Sequence, residues 1–97
     1  MSSRFIIRPR AESDIRAVFD WYESEQPGLG EEFLASLRDR LELIRRFPDS
    51  CPIVYRNVRR AIIRRFPYLV FYTVGPAQVS VLAVLHQSRN PADWPRR

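Results

Sequence analysis

The sequence predicts an α+β fold in two layers, an antiparallel helical hairpin packed on a small, mostly antiparallel sheet. Three observations predict it. Apolar residues follow a helical period in the first half of the chain and nowhere else. The second half holds runs of aromatic and β-branched residues separated by Pro/Gly turns. A short Pro/Gly break divides the helical half in two, which forces the two helices to pack antiparallel. The resulting order is β-α-α-β-β-β, in one domain covering residues 1–97.

Each element has its own signal. Phe5-Ile6-Ile7, between Arg4 and Arg8, is a short strand ending at Pro9. Ala11, Ile15, Val18, Phe19 and Tyr22 then form one stripe of a helix. Glu12 and Asp14 sit in its first turn, where the helix dipole favours negative charge. Gln26-Pro27-Gly28-Leu29-Gly30 ends it. Phe33, Leu37, Leu41 and Ile44 form the stripe of a second helix, with Leu34 beside them and Arg45 and Arg46 in the last turn. Pro48 stops that helix, and residues 49–57 read as a loop holding Pro52 and the lone Cys51. Three strands follow: Val58 to Arg64, Tyr68 to Val74, and Val79 to Leu85. The last is the most apolar and belongs inside the sheet. Short turns at Phe66-Pro67 and Gly75-Pro76-Ala77 make these three a meander.

Composition excludes several functions. No run of about 18 apolar residues is present, so no membrane span is expected. Met1 to Pro9 lacks the apolar core of a signal peptide. One cysteine allows no internal disulfide, and no Cys/His cluster has zinc spacing. These features predict a soluble, cytoplasmic protein without metal or cofactor. The charge is more informative. All sixteen basic residues are arginine, and the sign is split along the chain. Residues 1–49 hold eight arginines and ten acids, net −2; residues 50–97 hold eight arginines and Asp93, net +7. Five arginines fall between Arg56 and Arg65. Such asymmetry points to an acidic partner, either nucleic acid or an acidic protein segment.

Standard catalytic signatures are absent: no Gly-rich phosphate loop, no serine elbow, no paired histidines. The acids lie on helices with arginines four residues away and read as solvated surface. One constellation remains. His86, Arg89, Trp94 and Arg97 follow the last strand, and the meander can bring Arg60, Arg64 and Arg65 near them. Histidine moves protons near neutral pH, and arginines hold phosphate bidentately. Tyr68 and Tyr72 are candidates to stack on bases. The structural reading stands beside it: a histidine at a strand end packs its ring, and Trp94 plugs the edge of the core. Phe66 and Phe71 read as core, Tyr22 and Trp21 as core and flank, and Cys51 as inert.

Taken in order, these segments resemble a known family. Ala11-Glu12-Ser13-Asp14-Ile15, Trp21-Tyr22, Pro27-Gly28-Leu29-Gly30-Glu31-Glu32-Phe33 and Ile44-Arg45-Arg46-Phe47-Pro48 carry the first half of the likeness. Val58-Arg59-Arg60-Ala61, Arg65-Phe66-Pro67-Tyr68 and His86-Gln87-Ser88-Arg89-Asn90-Pro91, with Trp94 after it, carry the second. Over residues 4–97 the chain is similar to the RelE/ParE superfamily of type II toxin–antitoxin toxins, and closer to its ParE-like branch. The resemblance implies a toxin that inhibits DNA gyrase, arrests growth, serves plasmid stabilisation and is neutralised by a cognate antitoxin. It implies antitoxin contacts on the helical hairpin, at Ile15, Phe19, Tyr22, Leu37 and Leu41. The target surface would comprise Arg60, Arg64, Arg65, His86, Arg89, Trp94 and Arg97. The alternative within the superfamily is a RelE-like, ribosome-dependent mRNA endoribonuclease without metal. There His86 is the general acid or base, and Arg65 or Arg89 stabilises the phosphorane. The chain departs from that pattern: Tyr68 stands where nucleases place an arginine, and there is no lysine. A third reading is a decayed toxin that only binds its antitoxin.

Overall fold

A computed structural model of the chain describes residues 4–88. Strand β1 (Arg4–Ile7) leads into helices α1 (Pro9–Glu25) and α2 (Leu29–Arg46). Four strands follow: β2 (Ile53–Tyr55), β3 (Val58–Ile62), β4 (Tyr68–Val74) and β5 (Gln78–His86). They form one sheet in the order β1-β5-β4-β3-β2. Only β1 pairs in parallel, with β5; the other pairings are antiparallel. The expected two-layer α+β architecture is therefore present, and β5 lies inside the sheet between β1 and β4.

Two boundaries differ from the sequence reading. The segment read as a loop contains β2, so the order is β-α-α-β-β-β-β. A tight turn with Arg56 at φ 53° folds Tyr55 back onto Val58, and the Arg60 N–H donates to the Pro52 carbonyl at 3.0 Å. The flanking prolines conceal so short a strand. The following strand, expected to reach Arg64, ends at Ile62 because Arg65 turns left-handed at φ 72°.

The helices pack one face of the sheet. Phe33, Leu37 and Ile44 from α2 and Ala11 and Val18 from α1 meet Val70, Tyr72, Val79 and Val81 beneath them. Gly30 lets the helices approach closely: a Cβ there would lie 2.8 Å from the Phe19 ring and from Glu23 Oε1. Gly28 starts α2 in the left-handed region at φ 92°, where a side chain is strained. Glu23 accepts the Gly28 and Gly30 N–H groups at 2.8 and 3.0 Å, so it caps α2 from α1. Asp14 reaches further. Its Oδ2 accepts the Val84 N–H of β5 at 3.0 Å, beyond the last residue paired with β1. Asp14 ties the helix layer to the sheet and Glu23 ties the two helices to each other, which corrects their reading as solvated helix surface.

A bulge decides which residues share a face. Phe71 pairs with Ala83 but Tyr72 with Val81, so Leu82 is the extra residue in β5. The alternation changes sign there. Val79, Val81 and Val84 face the helices, whereas Ala83 and Leu85 join Val58, Leu69 and Phe71 in a second cluster on the other face.

Tyr72 is fully buried, and its hydroxyl donates to the Pro48 carbonyl at 2.9 Å. It therefore anchors the loop after α2 and is not available to stack on bases. Burial, and secondarily a hydrogen bond with Cys51, pushes its phenol above the ordinary value of 10.0. Burial and the neighbouring Tyr68 raise Tyr22 as well. Both folded-state values exceed the unfolded ones, so this stability is fully present below pH 10.0 and is lost as pH climbs above it. With no lysine in the chain, no ammonium titrates in that window. The urea midpoint should fall above pH 10, and fall less steeply in Tyr72→Phe. Parallel profiles for the two proteins would refute this.

Candidate functional site

Among the described residues singled out from the sequence, His86 and Arg60 do not converge. Arg60 pairs with Phe71 on the helix-free face, while His86 pairs with Tyr68 on the helix side. The bulge at Leu82 causes this separation, because it reverses the side on which β5 presents its last residues. Arg89, Trp94 and Arg97 lie outside the described residues.

His86 ends β5 exposed. Its ring meets Tyr68 edge-on at 5.3 Å. The Ser88 N–H donates to Nδ1 at 3.1 Å, and Ser88 Oγ lies 3.0 Å from the same nitrogen. That arrangement occupies the Nδ1 lone pair. Trp21, Tyr22, Pro67, Tyr68 and His86 line a cleft of about 310 Å³. Its walls are aromatic, and no described arginine lines it. Behind them Tyr22, Phe33, Phe66 and Tyr68 form a ring cluster with centroids 5.0–6.2 Å apart.

The basic run from Arg56 to Arg65 is dispersed by the same strand geometry. Arg56 lies 5.3 Å over the Tyr55 ring. Arg59 turns to the helix side, where it donates to the Cys51 carbonyl at 2.7 Å and pairs with Asp49 at 3.4 Å. It is a clamp on the loop after α2. Arg64 and Arg65 occupy the β3–β4 turn, and Arg65 pairs with Glu32 of α2 at 3.1 Å. Cys51 is half-buried and its thiol is free.

The expected antitoxin contacts also separate. Ile15 and Phe19 line a groove of about 370 Å³ with Ile7, Glu12, Arg16 and Leu34. Tyr22 belongs to the cleft beside His86, and Leu41 is half-buried against the core. Leu37 is only 3% exposed and is taken up by the core itself. Sequence periodicity places all five on apolar stripes but cannot say which part of a stripe the sheet covers. Leu34 and Ile7 complete the groove; Leu34 shows in the sequence only as a residue beside the main stripe.

Among the described residues, no group of three or more His, Cys, Asp or Glu is placed to hold a metal ion. No described helix is long and apolar enough to cross a membrane. The strand, the helical hairpin and the sheet are the architecture that the resemblance to RelE/ParE toxins implies. The family described as the ParE toxin of the type II toxin–antitoxin system parDE matches residues 5–91, and the chain belongs to it. Among solved structures it is similar to the chromosomal ParDE toxin–antitoxin system from P. aeruginosa, with a TM-score of 0.79. That match covers 88% of this chain and 96% of the other at 15% identity, a likeness of fold. No curated protein matches the sequence.

Proposed function

We propose that the chain is the toxin of a parDE-type pair. A cognate antitoxin binds and neutralises it, and the freed toxin inhibits DNA gyrase in the cytoplasm. The family match over residues 5–91 carries this reading. The groove at Ile15 and Phe19 offers an apolar seat for an antitoxin helix, and β1, at the sheet edge, offers main-chain groups for a strand. The likeness to a ParDE system supports such a partner.

The placement of His86 and Arg65 in different clefts favours a binding protein over a nuclease. A general acid–base residue needs its phosphate-holding partners within hydrogen-bond reach of one substrate. Here the described neighbours of His86 are aromatic rings, Pro67 and Ser88. His86→Ala should therefore leave most of the growth arrest on induced expression, since it removes at most one contact of the target surface. A nuclease would lose about 10²–10⁴-fold with its acid or base. The direct test is a supercoiling assay with purified gyrase, run beside bulk translation and the DNA-damage response in cells. Loss of supercoiling with damage induction supports the proposal. Immediate translation arrest with gyrase unaffected overturns it in favour of mRNA cleavage. A tight antitoxin complex with neither phenotype leaves only the decayed toxin.

A further inference from the structure

A second, polar cleft lies on the far side of α2 from that groove. Ser36, Asp39, Arg40 and Leu43 are spaced three, four and seven residues apart and so share one helix stripe. They face the β3–β4 turn, and with Arg64 and Arg65 they line a cleft of about 320 Å³. Three guanidinium groups thus meet one hydroxyl and one carboxylate. Arg40 is the telling member. The side chain is half-buried, and its Nε is cut off from solvent with no hydrogen-bond partner, a donor left unmet. Arg65 holds a left-handed backbone at φ 72° without being glycine, the kind of local strain found where a turn must present a side chain.

We infer that this cleft binds a phosphate group. The choice of anion follows from charge and acceptor count. The lining carries three arginines and Asp39, net +2; Glu32, which holds Arg65 at 3.1 Å from outside it, lowers this to +1. That range matches one phosphodiester or phosphomonoester. The Glu32–Arg65 pair is solvent-exposed on both sides and yields readily to a stronger anion. A phosphate offers three or four acceptor oxygens to a fork of guanidinium donors and the Ser36 hydroxyl. A carboxylate offers two, and Asp39 already places one in the lining. Arg64 and Arg65 also belong to the expected target surface, but phosphate binding is read on the purified chain alone, so it stands or falls whether or not gyrase is inhibited.

The test uses the purified full chain, labelled with ¹⁵N and titrated with inorganic phosphate while the arginine Nε–H signals are followed. Saturable shifts of Arg40, Arg64 and Arg65 are expected, with a Kd of roughly millimolar order. Arg40→Gln should weaken binding about tenfold, the loss of one charge-assisted pair. Arg64→Gln, in the exposed turn, should do the same without touching the helix. Arg38→Gln, on the exposed face of α2, should change nothing. A nucleoside monophosphate and a short single-stranded oligonucleotide then compete with phosphate, and whichever displaces it at lower concentration identifies the source of the group. Unsaturable shifts, equal weakening by Arg38→Gln, or displacement by an acidic peptide in a protein that ignores phosphate would each overturn the inference.

Discussion

Phe33→Ala should remove most of the protein's stability. Phe33 is completely buried. Its ring lies 5.9 Å from Tyr22, 5.5 Å from Phe66 and 5.9 Å from Tyr68, so it is where α1, α2 and the β3–β4 turn meet. Truncating a buried phenylalanine costs about 3–5 kcal/mol, the lost transfer free energy plus the cavity left behind. A domain has about 5–15 kcal/mol in all, and a chain this small belongs near the lower end. The cluster cannot close over the gap, because its other members are fixed by separate elements. Urea unfolding followed by circular dichroism should show the midpoint collapse. A loss under about 1 kcal/mol would mean that the aromatic cluster is not the centre of the core.

Phe19→Ala should cost little stability but much of the antitoxin's affinity. Phe19 is half-buried and lines the groove with Ile15, Ile7 and Leu34. An aromatic side chain in an apolar groove is the usual anchor of a helical partner, and truncating such an anchor costs about 2 kcal/mol or more. That is about 30-fold in Kd. Alanine is also the best helix former, so α1 itself is not penalised. The comparison protein is His86→Ala, whose side chain lies in the other cleft and whose antitoxin affinity should be unchanged. Calorimetry with the purified antitoxin separates the cases. Unchanged affinity for Phe19→Ala, in a protein that unfolds normally, would move the antitoxin seat elsewhere.

The outline of the fold was readable without the structure because local patterns recorded it. The apolar stripes at Ala11, Val18, Phe33, Leu37 and Ile44 mark the buried faces of both helices. Phe66 and Phe71 are core, as their apolar surroundings in the sequence indicate. Half-buried Tyr22, packed against the core, and exposed Trp21 fit core and flank in that order. The site was far less legible. Tyr72 was a candidate for stacking and is instead fully buried, since an aromatic residue in a strand reads the same on either face. Asp14 and Glu23 read as surface, because their backbone partners, the Val84 N–H and the N-terminus of α2, are brought to them by tertiary packing.

The division between the two sources of information has one physical origin. Helix period, turn residues, charge asymmetry and the order of segments are properties of near neighbours in the chain, and the sequence by itself determined them. From these came the two-layer fold and the family resemblance. The faces of the sheet depend on register, and register turns on one unpaired residue. Leu82 carries no local mark that distinguishes it from its neighbours in an apolar run. Only pairing with β4 makes it the bulge. That single residue sends His86 to the helix side among aromatic rings, while Arg60 stays on the opposite face. The tertiary structure alone decided that His86 and Arg60 lie on opposite faces of the sheet, and that Arg40 meets Arg64 and Arg65 in a cleft of their own.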